Sequence, residues 1–369
     1  MKKSTQTAKG IAFLLAICML LPSLKAFAEQ APWDCPEPGC GRTGNRGNYC
    51  GSCGHPAPWI QATYTPQELY EIGEKYYNGY GVSQDYGEAM KWYKQAAEAG
   101  HAEAMNDIGY MYHFGQGVAQ DYSEAMKWYK QAVEAGDAAA KNQIGYMYQN
   151  GQGVAQDYGE ALKWYKQAAE AGSPVGMFNT GYLYYAGLGV SRDYGEAMKW
   201  FTRAADADYV AANDYIGYMY QNGLGVAQDY SEAMKWYKQA VEAGDTAAKN
   251  QIGYMYQNGQ GVAQDYGEAM KWYKQAVDAG SATAMNNIGY MYYAGEGVKQ
   301  DYDEAVKWFK QAADAGETWA MYNVGMMYAE GRGVKKNKKT AAEWMRKAAD
   351  LGNDDAVEWL KEYNAPSTQ

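Results

Sequence analysis

Residues 102–136 read AEAMNDIGYMYHFGQGVAQDYSEAMKWYKQAVEAG. Ala104, Ile108, Met111 and Tyr112 fall at helical spacing and line one face of a first helix, A. Gly115-Gln116-Gly117-Val118 breaks that pattern: Gly115 suits the left-handed position that closes a helix, and Val118 can plug the turn. Asp121 then stands where an N-cap belongs, with Glu124 three residues on, the order of a capping box. A second helix, B, runs from Tyr122 to Ala135, with Ala125, Trp128 or Tyr129, and Ala132 as its buried stripe. Gly136 ends it and turns the chain.

This unit recurs. Tryptophan falls at Trp92, Trp128, Trp164, Trp200, Trp236, Trp272, Trp308 and Trp344, always 36 residues apart. Gly73, Gly109, Gly145, Gly181, Gly217, Gly253, Gly289 and Gly325 keep the same beat, as does alanine from Ala96 to Ala348. A fixed period of this size means stacked units sharing one continuous core. The expected fold is all-α: a right-handed α-solenoid of about eight helix-turn-helix repeats over 67–352, with a capping helix and tail over 353–369. Glycine inside helix A costs about 1 kcal/mol against alanine, so close approach of a neighbouring helix to bare backbone is expected there. The Trp and Tyr of helix B fill the space between units, each worth a few kcal/mol when buried, so the Trp column reads as core.

Paired acids recur at Asp85/Glu88, Asp157/Glu160, Asp193/Glu196, Asp229/Glu232, Asp265/Glu268 and Asp301/Glu304. Capping accounts for them without acid–base chemistry, and the residue order of a calcium loop is missing. The Gly-x-Gly loop lies between helices and follows no strand, which excludes a nucleotide-binding turn.

The second copy carries Ala104, Ile108, Gly109, Tyr112, Gly115, Gly117, Val118, Asp121, Ala125, Trp128, Ala132 and Gly136. In these positions the chain resembles the Sel-one-like repeat family, relatives of tetratricopeptide repeats, over eight copies from about Pro66 to Gly352. Some copies depart: Asp208 replaces the closing glycine, Thr180 the apolar residue before glycine, and Asn337 and Thr340 the last cap pair. Local irregularity is expected there. The first copy opens with Glu68 where alanine is usual, which suits a solvent-facing end.

Residues 1–28 read as a signal peptide: Lys2, Lys3 and Lys9, an apolar run from Ile11 to Leu21, then Ala26-Phe27-Ala28. That run is too short to span a bilayer, and the mature chain is expected without a membrane span, exported to a bacterial periplasm or beyond. Formal charge is −10, and removal of four leader lysines, Lys25 included, takes it to −14. Such a chain repels phosphate backbones, so nucleic acid is not the expected partner. The basic cluster Lys335, Lys336, Lys338 and Lys339 reads as solvated surface.

Six of nine prolines lie between Pro32 and Pro66. They mark a separate module at 29–57 and a linker at 58–66. The module holds Cys35, Cys40, Cys50 and Cys53, with His55 after them. Cys50-Gly51-Ser52-Cys53-Gly54 resembles a zinc-ribbon knuckle, and Cys35 to Cys40 resembles a wider partner knuckle. Structural zinc on the four cysteines is the favoured reading, and two disulfides are the alternative in an oxidising compartment. A redox-active Cys50/Cys53 pair lacks a βαβ context.

The resemblance implies that helix A lines a concave groove. One column of that helix reads Asp107, Gln143, Asn179, Tyr215, Gln251, Asn287 and Asn323. Its neighbour reads Tyr110, Tyr146, Tyr182, Tyr218, Tyr254 and Tyr290. Amides can bond a peptide backbone and tyrosine offers a rigid ring with a polar tip, so these columns are candidates for holding an extended polypeptide. The alternative is that the tyrosines pack between adjacent A helices. Residues 117–161 and 225–269 differ only at Ala138 against Thr246, a mark of block duplication. Columns that vary are then the better guide to a partner, as in Glu103, Ala139, Val175, Ala211, Ala247, Thr283 and Trp319. Trp319 is a candidate anchor.

The expected function is an exported, non-catalytic, monomeric scaffold for a protein or peptide partner; the resemblance implies the same. Two alternatives stand beside it. A cysteine-rich branch of the family includes penicillin-binding and β-lactamase activity, but the array lacks that branch's cysteines. There is no Gly-x-Ser-x-Gly or Ser-x-x-Lys motif, and the histidines are only His55, His101 and His113, read as surface or satisfied groups. The other alternative is envelope polysaccharide stacked on exposed tyrosines.

Overall fold

The computed structural model describes residues 33–34, 43–44 and 64–364. Residues 1–28, Cys35, Cys40, Cys50, Cys53, His55 and most of the linker lie outside the described residues. In the N-terminal segment, β1 (Trp33–Asp34) and β2 (Thr43–Gly44) pair antiparallel, Trp33 opposite Gly44 and Asp34 opposite Thr43. The rest is helical. The chain divides into two compact units, Met1–Gly136 and Asp137–Gln369.

The first unit holds α1 (Pro66–Asn78), α2 (Tyr86–Glu98), α3 (Ala102–Phe114) and α4 (Tyr122–Glu134). The second holds α5 (Ala139–Asn150), α6 (Tyr158–Glu170), α7 (Pro174–Ala186), α8 (Tyr194–Asp206), α9 (Val210–Asn222), α10 (Tyr230–Glu242) and α11 (Ala247–Asn258). It continues with α12 (Tyr266–Asp278), α13 (Ala282–Ala294), α14 (Tyr302–Asp314), α15 (Thr318–Glu330), α16 (Lys338–Asp350) and α17 (Asp354–Asn364). Within each unit every helix packs on its neighbours in sequence, which makes the array an all-α solenoid of helix-turn-helix repeats.

The turn between A and B is held by backbone. Gly115 takes the left-handed conformation (φ 68°), and the Asp121 N–H donates to the Tyr112 carbonyl at 2.9 Å. Asp121 accepts from the N–H groups of Ser123 (2.9 Å) and Glu124 (3.0 Å). Glu124 does not complete a capping box, because the N–H it would accept already bonds Tyr112. It pairs instead with Lys127, and six further copies repeat that exposed pair. The reciprocal box forms at Thr65 and Glu68, where Glu68 Oε2 accepts from the Thr65 N–H at 2.8 Å. Glu68 is therefore a capping residue of α1.

One expectation about the core holds and one needs correction. A neighbouring helix does approach the glycine inside helix A, through a ring of helix B: a Cβ on Gly109 would lie 2.6 Å from Cδ1 of Tyr129 in the same repeat. The ring that fills the core is accordingly the tyrosine. Tyr93, Tyr129, Tyr165, Tyr237 and Tyr273 are fully buried, with Phe201 and Phe309 in the same column. All eight tryptophans of the period are only partly buried. Trp128 packs against the cluster of the copy before it, as do Trp236, Trp272 and Trp308 in the second unit. The tryptophan is a joint between repeats.

The departures from the repeat leave its geometry intact. Asp208 adopts φ 60° and so makes the turn that glycine makes elsewhere. Thr180 is buried, and its hydroxyl donates to the Gly176 carbonyl at 2.7 Å. Asn337 caps α16 through the N–H groups of Lys339 and Thr340, both at 3.1 Å. At the end, α17 packs Trp359 and Leu360 onto the last cluster. It carries Lys361 at the register of the ring-admitting glycine, exposed and paired with Glu358 at 3.0 Å.

Candidate functional site

Helix A of each repeat turns Ala104, Ile108 and Met111, or their equivalents, into the core. Helical geometry then sends the 107 and 110 columns to the other side. In the second unit the tyrosines of the 110 column stand in a row: Tyr146 is 43% exposed, Tyr218 38%, Tyr254 42% and Tyr290 47%. These are large rings held half in water on four of five successive copies. Tyr182 is the exception in the row, half-buried and edge-on to Tyr215 at 6.2 Å. In the first unit Tyr110 is half-buried and tilted over Phe114 at 4.3 Å.

The 107 column is less free than its sequence suggests. Asn287 Nδ2 donates to Asn250 Oδ1 at 3.0 Å, and Asn323 Nδ2 to Asn286 Oδ1 at 2.9 Å. Those amides tie adjacent A helices together. Tyr215 sits in an aromatic cluster with Phe178, Phe201, Tyr182 and Tyr185. Gln143, Asn179 and Gln251 are half-buried. In the first unit Asp107 lies beside Tyr70, whose hydroxyl is held well above its ordinary range by burial first and then by the Asp107 and Glu74 charges. The column is therefore mainly a polar seam between helices, and the tyrosine row is what faces solvent.

Two clefts open on this face. One, of about 220 Å³, is lined by Tyr254 and Tyr290 together with Asn287 and Glu296. The next, of about 190 Å³, lies between Tyr290 and Met326 and reaches Tyr322, Asn323 and Glu330. They share Tyr290 and lie one repeat apart. A third cleft, of about 520 Å³, runs from Glu317 and Trp319 to Leu351 and Asp355. Trp319 is 51% exposed there, edge-on to Tyr322 at 5.9 Å.

A polar relay beneath this face was not anticipated. Tyr237 donates to Gln221 Oε1 at 2.7 Å, and Gln221 Nε2 donates to Gln260 Oε1 at 2.9 Å in the following loop. Tyr273, Gln257 and Glu296 repeat the relay at 2.5 and 2.7 Å. It links the core ring of one copy to the loop of the next. Two histidines, His101 and His113, take part in the packing of the first unit. His101 caps α3, its Nδ1 accepting from the Ala104 N–H at 3.2 Å, and stacks on Tyr70 at 4.5 Å. His113 is buried at the position Gln149 holds in the next copy.

Among the described residues no group of three or more His, Cys, Asp or Glu could hold a metal ion, and no helix is long and apolar enough to cross a membrane. The Sel1 repeat family model matches residues 69–101, 102–137, 138–173, 174–209, 210–245, 246–281, 282–317 and 320–353. The chain belongs to the Sel1 repeat family. Sel1 repeats generally build protein-interaction scaffolds. Among solved structures, this Sel1 repeat chain is similar to c5321, a protective antigen of uropathogenic Escherichia coli strains with an SLR fold. The two are 33% identical over 79% of this chain and 70% of that one, with a TM-score of 0.59. It is also similar to a Sel1 repeat protein from Oxalobacter formigenes, at 32% identity over 81% and 87% of the two chains, with a TM-score of 0.62. Comparison with curated proteins returns no match.

Proposed function

We propose that this Sel1 repeat chain is an exported, non-catalytic scaffold that holds an extended polypeptide against the A helices of its second unit. The observation that carries the reading is the row of half-exposed rings at Tyr146, Tyr218, Tyr254 and Tyr290. Rigid amphipathic rings give large contact at low entropic cost. The clefts beside Tyr290 supply concave surface between them. A photo-crosslinking residue placed at Tyr218 or Trp319 in native cells should yield discrete protein adducts. The same residue at Lys163, on the outer face of a B helix, serves as control. Equal labelling from both faces would sink the reading.

Export rests on the leader-like residues 1–28, and retention of those residues in the purified native protein would count against it. For Cys35, Cys40, Cys50 and Cys53 the favoured occupant is one structural zinc held by four thiolates. Metal content and free-thiol titration on the purified chain decide between that and two disulfides. No zinc with no free thiol means disulfides.

A further inference from the structure

We infer that the cleft beside Trp319 receives an arginine side chain of the bound polypeptide, its guanidinium laid on the indole and its charge met by Asp354 and Asp355. This rests on the scaffold reading above and adds to it a second, chemically distinct contact.

The sister copies supply the first warrant, because they lack the cleft's two large apolar residues. Leu351 stands where the seven other copies, from Ala99 to Ala315, all carry alanine. Trp319 stands where Ala211, Ala247 and Thr283 stand in the copies before it. Both enlargements face water, Leu351 57% and Trp319 51% exposed, so neither adds much to the core. Single apolar residues scattered over a surface are ordinary, but these two share one cleft. Tryptophan is also among the residues that most often anchor an interface. Tyr322 meets the indole edge-on, at 5.9 Å and 81°, and sets its orientation.

Charge is the second warrant. Glu317, Asp354 and Asp355 line the cleft, and no lysine or arginine lines it. Glu317 is already engaged, because its carboxylate caps α15 at the Ala320 N–H. The other two are not. Asp354 and Asp355 are exposed, and the ion pair of α17 among the described residues is Lys361 with Glu358. Nor do they cap α17: Asn353 does, its Oδ1 accepting from the Ala356 N–H at 2.8 Å. Acids in a first turn favour the helix dipole, a benefit that leaves their charge open to a ligand. Asp355 lies close enough to Tyr322 to help burial raise its hydroxyl, so acid and aromatic groups meet in one place. A planar, weakly hydrated guanidinium suits both: it stacks on an aromatic face and its fork matches a carboxylate, where a lysine ammonium offers only a point charge. Leu351 can cover the aliphatic stem.

The test uses the whole chain with nitrogen-15 in its indoles, titrated with acetyl-Leu-Arg-Leu-amide and with the peptides that carry lysine or the neutral isostere citrulline in place of arginine. Trp319→Ala, which restores a residue of the sister copies, assigns the Trp319 indole signal by its loss. That signal should shift saturably with the arginine peptide, more weakly as salt is raised, and the citrulline peptide should bind at least about tenfold more weakly. Lysine should fall between them. Asp354→Asn with Asp355→Asn should remove the preference for arginine over citrulline, and Leu351→Ala should weaken all three peptides, each with the helical circular dichroism unchanged. Equal binding of arginine and citrulline peptides overturns the inference, as does an arginine-induced shift no larger at Trp319 than at the other indoles. No saturable shift at Trp319, with crosslinked protein adducts still forming at Tyr218, overturns the inference alone and leaves the scaffold reading standing. No shift and no adducts overturn both.

Discussion

The Tyr165 hydroxyl donates to Gln149 Oε1 at 2.9 Å, closing the core of one repeat with a single side-chain bond. The partners change together elsewhere. Where the glutamine is replaced by Tyr185 or Tyr293, the core ring is Phe201 or Phe309, and where it is Ala329 the core residue is Met345. Each glutamine is matched by a ring hydroxyl, while Tyr93 and Tyr129 keep theirs opposite Tyr77 and His113, Tyr93 donating to Glu74 and the buried Tyr129 hydroxyl having no hydrogen-bond partner. Gln149→Leu should therefore strand a buried hydroxyl and cost about 1–3 kcal/mol. Tyr165→Phe added to it should recover most of that loss. A double-mutant cycle in urea measures the coupling, and additive losses would show that the pair does not act as a unit.

The same rings set the cost of filling the helix-A glycine. A Cβ on Gly145 would come within 2.7 Å of the Tyr165 ring, which is buried on every side. Gly145→Ala should lose about 1–3 kcal/mol despite alanine's better helix propensity. At Gly325 the neighbour is the flexible end of Met345, 2.9 Å away. Gly325→Ala should then be close to neutral. Thermal melts of the two variants separate the cases, and equal losses would mean that the ring is not what the glycine admits.

Asp208 holds φ 60°, a conformation that costs an L-residue about 1–2 kcal/mol and glycine little. Asp208→Gly should raise stability by about 1 kcal/mol, and Gly172→Asp, at the same turn with φ 90°, should lower it by as much. Urea midpoints report both. A destabilised Asp208→Gly would point to a side-chain contact that outweighs the backbone strain.

The period fixed the helix pairs, the glycine turn and the Asp cap before any coordinate, because each rests on local backbone chemistry. Which ring of the Trp128-Tyr129 pair is core was not legible, since adjacent positions on a helix differ by 100° and both face inward on a coarse wheel. A partial signal was there: in six of the eight copies the residue in Tyr129's column changes with the one in Gln149's, Tyr93 and Tyr129 being the exceptions, whereas the tryptophan never varies. The half-box at Asp121 was missed because its N–H bonds Tyr112 nine residues back, a contact made by the turn and not by the helix. For the candidate site, the tyrosine row was legible as a column, whereas the amide column was misread. Asn287 and Asn323 look free in sequence because their partners, Asn250 and Asn286, lie 37 residues away on the preceding A helix.

Asp214 occupies the seam position that Asn106, Asn142, Asn250 and Asn286 hold in other copies. Its carboxyl is pushed up to about 6, by burial first and then by the charge of Asp245, and its Oδ1 has no hydrogen-bond partner. Unfolded, an aspartate titrates near 3.9. The folded chain therefore holds a proton that the unfolded chain has released across about pH 4 to 6. Stability should fall as pH rises through that window, by at most about 3 kcal/mol, and the penalty should be complete at pH 7. Asp214→Asn removes the charge and restores the residue of the sister copies, where Asn142 Nδ2 donates to Ser173 at 2.7 Å. Asp245 stands in Ser173's place two repeats on, and its Oδ1 already accepts from the Ala247 N–H at 2.8 Å. The variant should be about 1–3 kcal/mol more stable than the parent at pH 7 and equal to it near pH 4. Urea midpoints taken across that range test it: parallel curves for the two proteins would mean that Asp214 is ionised in the folded chain without penalty.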